Sequence, residues 1–262
     1  MPESIAERIK RDNDPSHGYY GEAQTVHSSY ADTMKKWGHI RIFVVNAYKE
    51  RQEKYVGNDR YELFPAVWWE DVTEEQVERY HFRHNANMDY RKKVVACSLS
   101  HKKLLLKIIK EDLNNVIIME DDAIIEDWEE LDLLKEEKLT DFCYVGGQIN
   151  APLMKDFKTF PEIKESIQDN FSKGVNPIDP KEFRIAHTCG YFIPNANVAR
   201  KLLTNIPTCK KERAIDTEYI KLQQKKCIDL FYYPAIVKLH LPDANQGFTY
   251  STHKLLDDQS LY

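Results

Sequence analysis

The chain has 262 residues, 42% hydrophobic and 30% charged, which is enough apolar material for one large α/β domain or two small ones. A net charge of -5, with no Lys/Arg block interleaved with aromatics, excludes a nucleic-acid footprint, and no apolar run approaches the length that spans a bilayer. The charged opening MPESIAERIKRDND lacks a signal-peptide core and points to the cytosol; Cys97, Cys143, Cys189, Cys209 and Cys227, widely spaced and without a CxxC pair, argue against a disulfide framework and against a zinc site.

Residues 1–36 are polar and read as an N-terminal extension, with a short helix around Tyr30–Trp37, ahead of one domain over 37–262. The first strand is the continuous apolar run Ile40–Asn46, followed by the polar turn AYKERQEK. Tyr61–Trp69 is a second extended segment, in which Pro65 marks an edge or a bulge. Glu70–His81 is charged and helical. Val94–Lys110 carries apolar residues at helical spacing and predicts a well-packed helix. Asp141–Gly147 and Phe183–Pro194 read as strands. Asn195 is a suitable cap for the helix NANVARKLL, Ile215–Lys226 is another helix, and Asp229–Leu239 is strand-like. Between them, 148–182 is a long polar segment with four prolines, the profile of an acceptor-side loop or lid. Alternating strands and helices predict an α/β fold, a mostly parallel sheet flanked by helices.

The segment Asn115–Asp122, NVIIMEDD, carries the most chemistry. Val116–Met119 suits a strand covered on both faces, and Glu120, Asp121 and Asp122 emerge at its carboxyl end, where open α/β sheets bind ligands. Three adjacent carboxylates in a partly buried place repel one another and call for a cation; oxygen ligands suit Mg²⁺ or Mn²⁺. In extended chain Glu120 and Asp122 share one side and Asp121 takes the other. The competing reading is an acidic turn in water.

The ordered strings ACSLSHKKLL, VIIMEDDA, CGYFIPNANVARKLL, AIDTEYI and YYPAIV, with the opening FVVNAYKER and the segment FPAVWWED, resemble glycosyltransferase family 25, over about Ile40 to Tyr250. That family includes lipooligosaccharide glycosyltransferases and collagen β-galactosyltransferases. The resemblance implies a GT-A-type, Rossmann-like fold with a nucleotide half and an acceptor half. It also implies a nucleotide-sugar donor (UDP-hexose by default, a GDP-sugar as the other choice), a glycan acceptor, Mn²⁺ or Mg²⁺, and inversion at the anomeric carbon.

By resemblance, Asp122 is the direct metal ligand. Glu120 faces the ribose or a metal-bound water, Asp121 faces the sugar, and His240 adds a ligand, with His253 as its competitor. Val45 and Asn46 lie near the base, Arg51 near base or phosphate, and Ala66 and Val67 close the base pocket. Ser100, beside His101, hydrogen-bonds ribose or phosphate, or else serves tight helix packing. Asp216 is the general base, with Glu218 as the alternative. Gly190 admits the acceptor or forms a strand bulge, and Trp68, Trp69 and Tyr191 are candidates for stacking on sugars. The rival functions are a metal-dependent phosphoryl-transfer enzyme or hydrolase, and a non-catalytic nucleotide-sugar-binding protein.

Overall fold

The computed structural model describes residues 40–82, 86–134, 137, 139–146, 148–150, 174–180, 184–186, 188–229, 231–232 and 236–239. The expected extension over 1–36, most of the long polar segment, His240 and His253 lie outside the described residues.

Two apolar runs make the centre. β1 (Arg41–Asn46) and β3 (Val116–Glu120) pair in parallel, Val45 beside Glu120, so both strands deliver their carboxyl ends to one edge. Their side chains alternate between two cores. Phe43, Val45, Val116 and Ile118 face one, and Ile42, Val44, Ile117 and Met119 the other. Covering on both faces is why neither strand shows a polar alternation. β2 (Tyr61–Pro65) pairs in parallel with the free side of β1 and forms the sheet edge, the position that tolerates the missing N–H of Pro65.

The remaining strands extend the sheet past β3. They are β5 (Cys143–Tyr144), β7 (Asn176–Pro177), β9 (Gly190–Ile193) and β10 (Phe231–Tyr232), and the full order is β2-β1-β3-β9-β5-β10-β7. β9 runs antiparallel to both β3 and β5, and β10 is parallel to β5. A parallel β2-β1-β3 core with helices on the sheet is the expected α/β, Rossmann-like architecture. Two small hairpin-like pairs lie beside it: β4 (Ala123–Ile125) with β11 (Val237–Leu239), and β6 (Gln148–Asn150) with β8 (Arg184–Ala186).

Helices cover the faces. α1 (Lys49–Gln52) is a single turn after β1. α2 (Glu74–Glu78) begins with a capping box, in which Thr73 Oγ1 accepts from the Gln76 N–H and Gln76 Oε1 accepts from the Thr73 N–H. α3 (Met88–Lys110) starts earlier than its apolar periodicity, because Asn87 caps it by accepting the Tyr90 N–H at 2.8 Å. Its Leu104, Leu105 and Ile108 join the first core, with residues of α5 (Ala196–Asn205) and α6 (Ile215–Gln224). Asn195 caps α5 as expected, accepting from the N–H groups of Asn197 and Val198. On the opposite face α4 (Trp128–Leu134) buries Leu131 and Leu134 in the second core.

β11 sits against two glycines. A Cβ at Gly190 would come 2.8 Å from Val237 Cβ, and one at Gly146 would come 2.6 Å from the Val237 carbonyl oxygen. The Val237 N–H donates to Val145 O at 2.8 Å. Gly190 therefore admits a strand of the protein itself. Among the described residues no helix is long and apolar enough to cross a membrane.

Candidate active site

At the carboxyl edge of β1 and β3 the three acids are treated very differently. Asp121 is 4% exposed and saturated with donors. Its Oδ2 accepts from the Ala47 N–H at 2.7 Å, the Tyr48 N–H at 3.0 Å and Asn46 Nδ2 at 3.2 Å, and its Oδ1 accepts from Arg51 Nη1 at 2.7 Å. Asn46 also donates to Tyr48 O at 3.0 Å. Asp121 is thus the post that the β1–α1 loop is tied to.

Asp122 receives no such help. Its Oδ1 is buried without a hydrogen-bond partner, and its Oδ2 lies 3.8 Å from Arg51 Nη1. Burial, then the Glu120 charge, push its carboxyl up to about 6 despite the opposing pull of Arg51. A buried carboxylate oxygen with no donor is a strained arrangement unless something positive completes it. The turn itself is pinned, because the Tyr55 hydroxyl donates to Ala123 O.

Two cations face the acids. Burial works to lower the Arg51 pKa, but its hydrogen bond to Asp121 and the two aspartates outweigh this, and the net shift is upward. For Lys54 burial wins over Asp122 and Asp121, and the net shift is downward. The Arg51 guanidinium also lies 4.8 Å from the centre of the Tyr48 ring, and Tyr48 meets Trp68 edge to face at 5.7 Å. Trp68 is 37% exposed. Trp69 is partly buried against a third core formed by Val72, Val77, Tyr80, Val95 and Ala96.

The segment after β2 closes on β1. The Ala66 N–H donates to Asn46 O at 3.0 Å, and the Val67 N–H donates to Ser100 Oγ at 2.8 Å. Ser100 Oγ in turn donates to Ala96 O at 2.7 Å. Ser100 is buried and acts as a clamp between α3 and the Ala66–Val67 segment.

Glu120 points inward from the same edge. Thr188 Oγ1 donates to its Oε1, and His101 Nε2 lies 3.4 Å from that oxygen without forming a hydrogen bond to it. His101 is fully buried, with Nδ1 2.7 Å from the Tyr191 hydroxyl, which is 3.3 Å from that of Tyr219. Tyr191 is wholly buried, so it does not stack on a sugar, contrary to expectation. Sequence reading named His101 only as a neighbour of Ser100; its place in a run of apolar helix positions was the signal for a core role.

The start of α6 repeats the contrast of Asp121 and Asp122. Glu218 is fully buried, its Oε2 accepting from the Thr208 N–H at 2.8 Å and its Oε1 from the Arg213 N–H at 2.9 Å. Both oxygens hold the loop before α6, which removes Glu218 as the alternative base. Asp216 is half-buried in the first turn; its Oδ1 takes only its neighbour's groups, the Thr217 N–H at 2.6 Å and the Thr217 hydroxyl at 3.3 Å. Its neighbour Ile215 packs in the first core with Leu104, Leu105 and Ile108 of α3.

The structure thus gathers Val45, Asn46, Arg51, Ala66, Val67, Glu120, Asp121 and Asp122 at one sheet edge. Residues 29–218 match glycosyltransferase family 25 (LPS biosynthesis protein). No curated protein matches the chain. The match spans well over half of the sequence and contains the whole carboxylate edge, and the chain belongs to glycosyltransferase family 25, a family of enzymes that transfer sugars.

Proposed function

We propose that the protein is a GT-A-type, metal-dependent, inverting hexosyltransferase. It takes a nucleotide sugar, UDP-hexose before GDP-sugar, and passes the hexose to a hydroxyl of an oligosaccharide or other glycan. The observation that carries this reading is the donorless Asp122 oxygen at the carboxyl end of a buried strand, beside a loop held rigidly by Asp121.

That oxygen, with two more acids in sequence, fits a hard divalent ion such as Mn²⁺ or Mg²⁺. Asp122 is its direct ligand, with Glu120 beside it. The expected further ligand, His240, lies outside the described residues. When bound, the ion neutralises the charge that builds on the departing diphosphate. The chain's own residues do the rest. Asp121 fixes Arg51, whose guanidinium is preset for the diphosphate. Tyr48 and Trp68, with the Ala66–Val67 segment and the end of β1, form the wall for the base. Asp216 takes the proton from the acceptor hydroxyl as that oxygen attacks the anomeric carbon from the face opposite the phosphate. It stands in the first turn of α6, beside the positive end of the helix dipole.

The test is thermal denaturation with UDP-hexoses, with and without Mn²⁺. A donor at a hundredfold excess over its Kd stabilises the native state by about 2.7 kcal/mol. That gain disappears with EDTA and in Asp122→Asn. A donor that stabilises the EDTA-treated protein and the variant equally overturns the metal reading. NMR of the product shows the anomeric configuration opposite to the donor's; a retained configuration overturns direct displacement.

A further inference from the structure

The side chains of Cys97, His101 and Glu120 converge behind the carboxylate edge. Each offers one ligand atom, and these atoms all lie within 4.8 Å of one another. Cys97 and His101 are four residues apart on α3, so they project from one helix face, and Glu120 comes from the end of β3. His101 is fully buried, and its Nε2 points into this group without a hydrogen-bond partner.

From this geometry we infer that Cys97 Sγ, His101 Nε2 and Glu120 bind a borderline-soft divalent cation, zinc foremost, at a site separate from the donor's metal. A thiolate, an imidazole and a carboxylate are the zinc donor set, and three protein ligands leave the fourth position open. The charges balance: thiolate and carboxylate together neutralise the ion in a place poor in water. A sulfur ligand disfavours Mn²⁺ and Mg²⁺, so Cys97 separates this site from the hard-ion site at Asp122.

The surroundings fit. A histidine that binds metal through one nitrogen donates the other N–H to an oxygen, and Nδ1 of His101 already lies 2.7 Å from the Tyr191 hydroxyl. Tyr191 then donates on toward the Tyr219 hydroxyl, 3.3 Å away, so the proton arrangement that frees Nε2 is available without moving an atom. Thr188 steadies Glu120 through its Oε1. Burial pushes the Cys97 thiol pKa well up, so binding a cation there releases its proton. The wide cysteine spacing argued against a zinc site, and this inference departs from that expectation: one cysteine suffices because the fold supplies the other two ligands. The site shares Glu120 with the donor-site reading but does not depend on Asp122.

The protein, stripped with chelator and titrated with Co²⁺ alone, tests the inference. A near-ultraviolet thiolate-to-cobalt band and intense visible bands of a four-coordinate ion should grow to about one equivalent and be bleached by Zn²⁺. Cys97→Ser abolishes the thiolate band, and His101→Gln weakens Co²⁺ binding at least about tenfold. Cys189→Ala and Asp122→Asn retain the band, so loss of the donor's metal is told apart from loss of this site. X-ray absorption of the zinc-loaded wild-type protein needs no variant to fold: it should show one sulfur at about 2.3 Å and lighter ligands at about 2.0 Å. A shell of oxygen and nitrogen only, no cobalt band, or a band that survives Cys97→Ser overturns the inference.

Discussion

The carboxyl edge of β3 and the start of α6 each hold two acids close together in sequence, and in both places the two are used in opposite ways. Asp121 and Glu218 are buried and accept backbone N–H groups on their oxygens; each ties down a loop. Asp122 and Asp216 sit beside them and accept no backbone N–H from a distant part of the chain in any hydrogen bond the structure shows. A carboxylate whose oxygens are engaged by backbone N–H groups is fixed in place by them. One without them stays reactive or waits for a cation. The donor count around an acid therefore sorts structural from chemical carboxylates better than its position in a motif.

Four substitutions break or sharpen this contrast. The largest effect is expected at Asp216, on the proposal that it is the base: Asp216→Asn lowers kcat by about 10²–10⁴-fold while donor Kd stays nearly constant. Steady-state rates with isothermal titration of the donor check both halves, and full activity would move the role to another group. Next comes Asp121→Asn. The amide sets an NH₂ against either the Ala47 and Tyr48 N–H groups or Arg51, and the protein loses about 3 kcal/mol by urea denaturation. Glu218→Gln follows at about 2 kcal/mol, because one of the Thr208 and Arg213 N–H groups then faces a donor. An unchanged midpoint in either variant would contradict the structural assignment. The smallest change is at Asp122. Asp122→Asn removes a buried, poorly solvated charge, so metal-free stability stays within about 0.5 kcal/mol of wild type or rises. A loss of the size expected at Asp121 would show that Asp122, too, is a structural post.

Much of the frame was legible in the sequence, because it rests on local signals. β1 and β3 announced themselves as apolar runs, Pro65 as an edge, and Asn195 as a cap. The first turn of α3 was not legible, since it is polar and exposed and depends on the Asn87 cap. Nor were β4 and α4 foreseen: their apolar positions are too few to show a period, and β4 exists only through pairing with β11. At the site, sequence picked out the carboxylates but not the division of labour between them. That division rests on Arg51, Ala47 and Tyr48 reaching Asp121 across a long stretch of chain. Tyr191 and Gly190 were assigned to ligands for the same reason, because nothing local says that a tyrosine will be buried or that Val237 will fill a glycine's space.

The seat of Val237 against Gly146 and Gly190 has a bearing on the order of events during synthesis. β4 follows directly on Asp122, and its pairing partner β11 is translated long after the acids have left the ribosome. While β11 is still unmade, β4 has an open edge and the two glycines face an empty groove. The nascent chain can form the β1–β3 pair early, with Tyr55 pinning the turn at Ala123, but β4 gains its pairing partner only when β11 arrives. Ribosome-bound chains halted before Val237 should therefore leave β4 unpaired and open to chaperones.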